Sequence, residues 1–152
     1  MRLAFPGAVV LLAGCVGSSG PKTLKPSLEE VMPASPSVVF QAAVKAVTDQ
    51  GLPLREAEPT TRVIQTDYVD ISSFDPMGSS QYPPSERLVR FKLLIGSAPE
   101  SPGSVVAIFG IYAPFRTGFS TSERNERAVP RDHPAMGIVR EMRDAIAKSV
   151  GR

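Results

Sequence analysis

Two neighbouring segments of this chain alternate with the two-residue period of a β-strand, and they restrict the fold more than any other feature. In residues 87–95, apolar side chains alternate with Arg90 and Lys92, so one face of a strand would be buried and the other would face water. In residues 104–113, both alternating faces are apolar, which predicts a central strand or a strand whose second face is covered. Residues 96–103 contain two prolines and two glycines and predict a turn. The pattern favours an antiparallel sheet.

Amphipathic helices flank these strands. From Pro36 onward, apolar residues recur at spacings of three and four, which predicts a helix over residues 36–50 with Ser35 as its N-cap. A last helix is expected to begin near Pro134, with Asp132 capping its N-terminus. Its apolar stripe consists of Ile138, Val139, Met142, Ile146 and Val150.

Two further strands and a loop are expected between the first helix and residue 87. Residues 52–58 lead into a short strand, residues 62–71 are rich in β-branched and aromatic side chains, and residues 72–85 predict an exposed loop. The predicted fold is a single α+β domain over residues 36–150, with a four-stranded antiparallel sheet and two helices packed on one face in the order α-β-β-β-β-α.

The first fifteen residues have the layout of a secretion signal that ends in the only cysteine of the chain. Arg2 is followed by an apolar run, residues 3–13, which is too short for a membrane span of about 20 residues but suits a signal core of about 7 to 15. Leu12-Ala13-Gly14-Cys15 resembles the lipobox of bacterial lipoproteins. The resemblance implies that residues 1–14 are removed and that Cys15 is lipidated. The alternatives are an ordinary signal peptide with an incidental cysteine and a buried cysteine in a cytosolic core.

Lipidation would decide where the protein lies. Two or three acyl chains, at about 0.8 kcal/mol per buried CH₂, would hold the mature chain on a membrane. Val16 stands where an aspartate favours inner-membrane retention in enterobacterial lipoproteins, so the resemblance favours the outer membrane, facing the periplasm. Residues 15–35 then form the lipidated N-terminus and a flexible tether rich in Pro, Ser and Gly, although Leu28, Val31 and Met32 could pack onto the domain as a short turn.

The order of the elements resembles a known envelope domain. The residues that carry this likeness are Cys15, the helix over 38–50 running into Gly51-Leu52-Pro53-Leu54, and Val63-Ile64-Gln65-Thr66-Asp67-Tyr68. Together they are similar to the helix-grip domains of the C-subunit lipoprotein of the outer-membrane β-barrel assembly machinery. That family has two such domains and this chain has one. The resemblance implies the fold and an envelope partner protein.

Catalytic, metal and cofactor chemistry is not indicated by the sequence. The net charge of +2, which falls to +1 once Arg2 is removed, argues against nucleic acid as a partner. His133 is the only histidine, so a multi-histidine metal site is excluded, and an acylated Cys15 cannot act as a nucleophile. Asp67, Asp70 and Asp75 lack the spacing of a calcium loop. The chain is therefore expected to be neither an enzyme nor a cofactor protein.

One polar stretch, residues 114–131, combines arginines with aromatic side chains and is the candidate interaction surface. It comprises Phe115, Arg116, Phe119, Arg124, Arg127 and Arg131. Guanidinium and aromatic groups could bind an acidic partner, a lipid headgroup or a polymer. Glu123 and Glu126 dilute the positive charge, and a solvated loop is the alternative interpretation.

Two functions of different classes are compatible with these observations. The first is a lipid-anchored, noncatalytic protein-interaction module of the cell envelope, serving outer-membrane assembly or maintenance. The second is a lipoprotein that binds a small molecule, lipid or glycan in a cavity between sheet and helices.

Overall fold

The computed structural model describes residues 23–113 and 126–151. In this part of the chain, one antiparallel sheet contains β1 (Leu28–Met32), β2 (Leu54–Glu58), β3 (Val63–Thr66), β4 (Val69–Asp70), β5 (Leu88–Ser97), β6 (Ser104–Tyr112) and β7 (Arg127–Ala128). The helices are α1 (Pro36–Asp49), α2 (Pro76–Ser79), α3 (Pro84–Arg87) and α4 (Ala135–Ser149), with a 3₁₀ turn at Ile71–Ser73. The predicted α+β class and the antiparallel sheet are confirmed, whereas the sheet has seven strands where four were predicted. No helix of the described residues is long and apolar enough to cross a membrane.

The two strands that alternate most strictly in the sequence form the centre of the sheet. β5 pairs with β6 along its length, from Val89 opposite Tyr112 to Ser97 opposite Ser104. The strand order is β1-β6-β5-β3-β2. β4 pairs with the same edge of β5 as β3 does, and β7 pairs with the same edge of β6 as β1 does. Only residues 98–103 separate β5 from β6, so the two strands of the central pair are close to each other in the sequence.

The hydrophobic core lies between one face of the sheet and the two long helices. α1 and α4 pack against each other and against the central strands. Phe91 and Leu93 of β5 are fully buried on this face, as the alternation predicts. Their buried neighbours include Val39, Val47, Ile108, Met142 and Ile146. We call this side of the sheet the helix face and the other side the open face.

Residues 28–32 form an edge strand instead of a tether or a turn. β1 pairs with β6 from Leu28 opposite Ile108 to Met32 opposite Ser104. Alternation then directs Met32 to the helix face, where it is 2% exposed. Glu30 lies on the same face and accepts a hydrogen bond of 2.9 Å from the Arg143 guanidinium of α4. This part of the predicted tether therefore belongs to the sheet.

The end of β1 is held close to the beginning of β6. A Cβ atom at Gly103 would lie 2.2 Å from the Met32 carbonyl oxygen, so only glycine permits this approach. The Ser104 hydroxyl also donates a hydrogen bond of 2.5 Å to the Ala34 carbonyl. Gly103, at the end of the predicted turn, thus has a packing role.

The strand predicted over residues 62–71 is interrupted after Thr66. The buried Thr66 hydroxyl accepts a 2.9 Å hydrogen bond from the Phe91 N–H, and it donates to the carbonyl of Asp67 at 2.9 Å. The Asp67 N–H donates to the Pro53 carbonyl at 2.9 Å. Because the Thr66 hydroxyl, and not a backbone carbonyl, accepts the hydrogen bond from the Phe91 N–H, the strand divides into β3 and β4 at this point.

The predicted loop over residues 72–85 contains short helical turns. The Asp70 carboxylate accepts a hydrogen bond from the Ser72 N–H, and the Asp75 carboxylate accepts one from the Gly78 N–H, each at 2.9 Å. Hydrogen bonds from the hydroxyl and the N–H of Ser72 lower the pKa of the Asp70 carboxyl below its ordinary value. Both aspartates therefore act as N-caps of local turns.

Candidate interaction surface

The residues proposed from sequence as an interaction surface are described only in part. Arg127 is exposed in β7, where it pairs with Tyr112, and Arg131 is exposed in the turn before α4. Phe115, Arg116, Phe119 and Arg124 lie outside the described residues, as does Cys15, the predicted site of lipidation. Residues directly opposite each other share a face of the sheet. Tyr112 is opposite the core residue Val89 and also opposite Arg127, so Arg127 lies on the helix face.

The open face of the sheet carries a contiguous row of apolar side chains. Register and alternation place there Val31 of β1, Val63 of β3, Leu94 of β5, and Val105, Ala107 and Phe109 of β6. Val31 is 58% exposed and the others are half-buried. We call these six residues the open-face strip. The sequence predicted a central β6 or a covered second face, and β6 is central while its second face retains exposed apolar area.

Polar residues border the open-face strip. Glu29 is opposite Ala107, and Lys92 is opposite Phe109 with Gln65 on its other side. An apolar centre with a polar rim is the usual composition of a protein–protein interface. A sheet face with no partner usually carries alternating polar side chains instead.

Arg90 departs from the sequence prediction, since it was expected to face water and is only 7% exposed. Its Nη1 donates to the Gln65 side-chain oxygen at 2.8 Å, and its Nη2 donates to the Glu126 carboxylate at 2.7 Å. The Tyr68 hydroxyl donates to the other Glu126 oxygen at 2.7 Å. The Arg90 guanidinium carbon also lies 5.9 Å from the centroid of the Tyr68 ring. These four residues form the Arg90 cluster.

The Arg90 cluster has a structural role. Both side chains of the Arg90–Glu126 ion pair are about nine-tenths buried, at 9% and 10% exposure. The hydrogen bonds of the cluster hold Glu126, the first described residue after residue 113, against β3 and β5.

His133 is buried, at 2% exposure, and it has a structural role at the beginning of α4. Its Nδ1 accepts a 3.2 Å hydrogen bond from the Ala135 N–H, and its Nε2 lies 3.2 Å from the Glu86 carbonyl oxygen. These two contacts require a neutral ring with its proton on Nε2. The centroids of the Tyr82 and Tyr112 rings lie 4.6 and 6.1 Å, respectively, from the centroid of the His133 ring.

The predicted cap of α4 by Asp132 is wrong. The first N–H of the helix, that of Ala135, is bonded by the His133 ring, and Asp132 is exposed. Capping statistics favour aspartate, but two tyrosine rings and the Glu86 carbonyl create a buried site that an imidazole fits. Burial lowers the pKa of the His133 imidazole below its ordinary value of 6.5, opposed by the Glu86 carbonyl and by the charges of Glu86 and Asp132.

We expect the free energy of unfolding to fall as the pH drops below about 6.5. The unfolded chain binds a proton at His133 before the folded protein does, so acidification favours unfolding, by up to about 1.4 kcal/mol per pH unit. His133→Asn retains a side-chain oxygen for the Ala135 N–H but cannot titrate, and its stability should be flat between about pH 7 and 5. Urea midpoints at several pH values measure both slopes. A wild-type slope that persists in the variant would assign the effect to another group.

Among the described residues, no group of three or more His, Cys, Asp or Glu side chains is placed to hold a metal ion. Asp70 and Asp75, considered above for a calcium site, each accept a hydrogen bond from a backbone N–H.

No profile of a known protein family matches the chain, and no curated protein sequence is significantly similar to it. The function must therefore be inferred from the residues of the chain itself.

Proposed function

We propose that this protein is a lipid-anchored, noncatalytic protein-interaction module of the bacterial cell envelope that serves outer-membrane assembly or maintenance. Its docking surface is the open-face strip. The single observation that supports this proposal is the apolar row on the side of the sheet away from α1 and α4. Exposed apolar patches with polar rims mark interaction sites.

The edge of the sheet adds to this surface. β1 stands at one end of the strand order and carries the most exposed residue of the strip, Val31. A partner could therefore bury the apolar face and also pair with the backbone of an edge strand. Backbone pairing supplies affinity, and contacts with alternate side chains supply specificity.

A protein partner agrees better with the packing than a ligand held between sheet and helices does. That interface is filled by its own side chains, since Phe91, Leu93, Ile108 and Met142 are each 0% exposed. A lipid or glycan in that position would have to displace them at a cost of several kcal/mol. Docking on the open face requires no such rearrangement.

The proposed anchor restricts where the partner is found. An extended chain spans at most about 3.5 Å per residue, so Cys15 and the first residue of β1, Leu28, can be no more than about 45 Å apart. With lipid on Cys15, the open-face strip stays within a few nanometres of the bilayer. The partner is thus expected to be an envelope protein at the membrane surface.

The proposal is tested by replacing the strip in the full-length protein. Val31→Ser combined with Leu94→Ser should weaken capture of a stoichiometric partner from detergent-solubilised membranes about tenfold or more, since central interface residues carry most of the binding energy. Thermal stability should change little. Val38→Ser is the matched control, because Val38 lies on α1 and is 50% exposed.

The outcomes distinguish the alternatives. Loss of the partner with Arg127→Glu but not with the strip variant would move docking to the arginine surface predicted from sequence. A lipid or glycan that coelutes in place of a protein would support the ligand-binding alternative. Mass spectrometry of the same membrane fraction should find acylated Cys15, and an unmodified thiol there would refute the anchoring.

A further inference from the structure

The described chain enters the sheet from one end of the strands. β1 runs antiparallel to β6, with Leu28 opposite Ile108. The preceding residue, Ser27, lies further along β6, since its hydroxyl oxygen accepts a 2.9 Å hydrogen bond from the Gly110 N–H. The segment that leads into β1 therefore arrives from the end at which β6 finishes, at Tyr112. We call this end of the sheet the entry end.

The segment that follows β4 lies at the same end. Asp70 of β4 is opposite Leu88, the first residue of β5, and Val89 is opposite Tyr112. Because β4 runs antiparallel to β5, the residues after Asp70 continue beyond the beginning of β5 and past the entry end. We call residues 71–80 the entry loop.

The entry loop carries two exposed apolar side chains and little charge. Phe74 is 42% exposed, and Met77 is 88% exposed, the highest value of any large apolar side chain in the described part of the chain. Asp75 is the only charged residue of the loop. Hydrogen bonds of 3.0 Å from the N–H groups of Phe74 and Asp75 to the Ile71 carbonyl hold this part of the loop in a fixed turn. Transfer of the loop out of water would thus gain apolar burial and would desolvate a single charged side chain.

We propose that the entry loop lies in the headgroup region of the membrane that anchors Cys15, with Phe74 and Met77 inserted among the lipids. This inference rests on the proposed lipid anchor. The tether and the loop reach the domain at the same end, and only β6 and β5 separate β1 from β4, a distance of about 14 Å. Anchor and loop can therefore meet one bilayer surface at the same time.

The anchor makes so small a contact sufficient. Two side chains alone would hold a free protein on a membrane only weakly, because the strength of interfacial binding scales with the buried apolar area. A domain already tied to the bilayer meets the lipids at a high effective concentration, so the second contact costs little further entropy. The loop then orients the domain, whereas the lipid on Cys15 supplies the attachment.

The contact does not depend on anionic lipids. The exposed charges near the entry end have both signs, with Arg127 and Arg131 beside Asp75 and Asp132. A surface that recognises anionic lipids carries a cluster of lysine and arginine instead. The lipid surface that fits the entry loop is therefore a neutral one, bound through its apolar boundary region.

This orientation leaves the open-face strip accessible. The side chains of a sheet stand roughly perpendicular to its strands, so strands that rise from the membrane direct the strip sideways, along the bilayer surface. An envelope partner can then dock on the strip without displacing the entry loop.

The test measures which end of the domain is close to lipid. The acylated, ¹⁵N-labelled protein would be placed in nanodiscs of phosphatidylcholine, with and without a lipid whose headgroup carries a spin label. The amide signals of Phe74 and Met77 should be broadened several-fold more than those of Gly96 and Gly103. β5 has ten residues, so its far end would stand roughly 30 Å further from the headgroups.

Variants separate the loop contact from the anchor. Phe74→Ser combined with Met77→Ser should reduce the broadening of the Ser80 amide about threefold or more, because the apolar area that enters the lipid is removed. Met77→Ser alone should act in the same direction and leaves folding intact, since this side chain is almost fully exposed. Val38→Ser is the matched control, because Val38 is 50% exposed in the first turn of α1, which follows the Met32 end of β1.

The outcomes distinguish failure of the loop contact from failure of the anchor. Equal broadening at Met77 and Gly96 in a protein that mass spectrometry shows to be acylated would overturn the loop contact and leave the anchor intact. An unmodified Cys15 would overturn both. A dimer in sedimentation experiments that the double variant dissociates would assign the loop to a second copy of the chain and would also overturn the proposal.

Discussion

Phe91→Ala is expected to lower the free energy of unfolding by roughly 3–5 kcal/mol. Phe91 is 0% exposed, lies on the helix face of β5 and is the largest fully buried side chain described. Its removal leaves a cavity between a central strand and two helices, where several elements would have to move together to fill the space. A loss of this size is a large part of the stability of a typical domain, about 5–15 kcal/mol.

The control for this prediction is the next residue along the strand. Lys92 is half-buried on the open face, and Lys92→Ala should cost less than about 0.5 kcal/mol. Urea unfolding followed by circular dichroism gives both midpoints, and an unchanged slope in each transition would show that only stability has changed. Equal losses in the two variants would contradict the assignment of the two faces of β5.

Glu126→Ala is expected to cost about 3 kcal/mol, because it removes a carboxylate that accepts hydrogen bonds from both Arg90 and Tyr68. The guanidinium would remain almost buried without this counter-charge. Combining Glu126→Ala with Arg90→Met should restore most of the lost stability, since replacing a buried ion pair by apolar groups is often nearly neutral.

An exposed ion pair provides the comparison for the Arg90 cluster. Lys45 and Asp49 form an i,i+4 pair on α1 with side chains 67% and 61% exposed. Asp49→Ala should therefore cost no more than about 0.5 kcal/mol in the same urea assay. A similarly small effect of Glu126→Ala would show that solvent screens the Arg90–Glu126 pair despite its burial.

Elements with strong local periodicity could be predicted from the sequence. The helix expected over 36–50 ends within a residue of α1, and the strands over 87–95 and 104–113 closely match β5 and β6. In each case, Pro or Gly flanks a clear apolar period, so local preference and tertiary packing agree.

β1 could not be assigned from the sequence because its pairing is remote. Leu28–Met32 contains two adjacent glutamates, which are unfavourable in strands, and its partner residues 104–108 lie far along the chain. The ion pair of Glu30 with Arg143 is likewise visible only once α4 is packed. The break after Thr66 depends on a single hydroxyl and has no periodic signal.

The candidate surface was predictable only in outline. The apolar second face of β6 was evident, but the neighbouring positions of Val31, Val63 and Leu94 follow from strand register, which the sequence did not determine. Burial of Arg90 depends on Glu126, which is 36 residues away. In the sequence, Arg90 is only a charged residue at a polar position of an alternating strand, which predicts exposure to water. His133 could be singled out as unique, but its partners Tyr82 and Glu86 lie on a different segment.

The pairing of β1 with β6 also bears on the order in which the chain is made. Among the strands of the described residues, β1 leaves the ribosome first, yet the residue opposite Leu28 is Ile108, so the sheet lacks this edge strand's partner until residue 108 has been synthesised. Closing so long a loop is slow compared with forming the local β5–β6 pair. A nascent chain of this topology therefore remains incompletely folded until residues 104–108 have been synthesised.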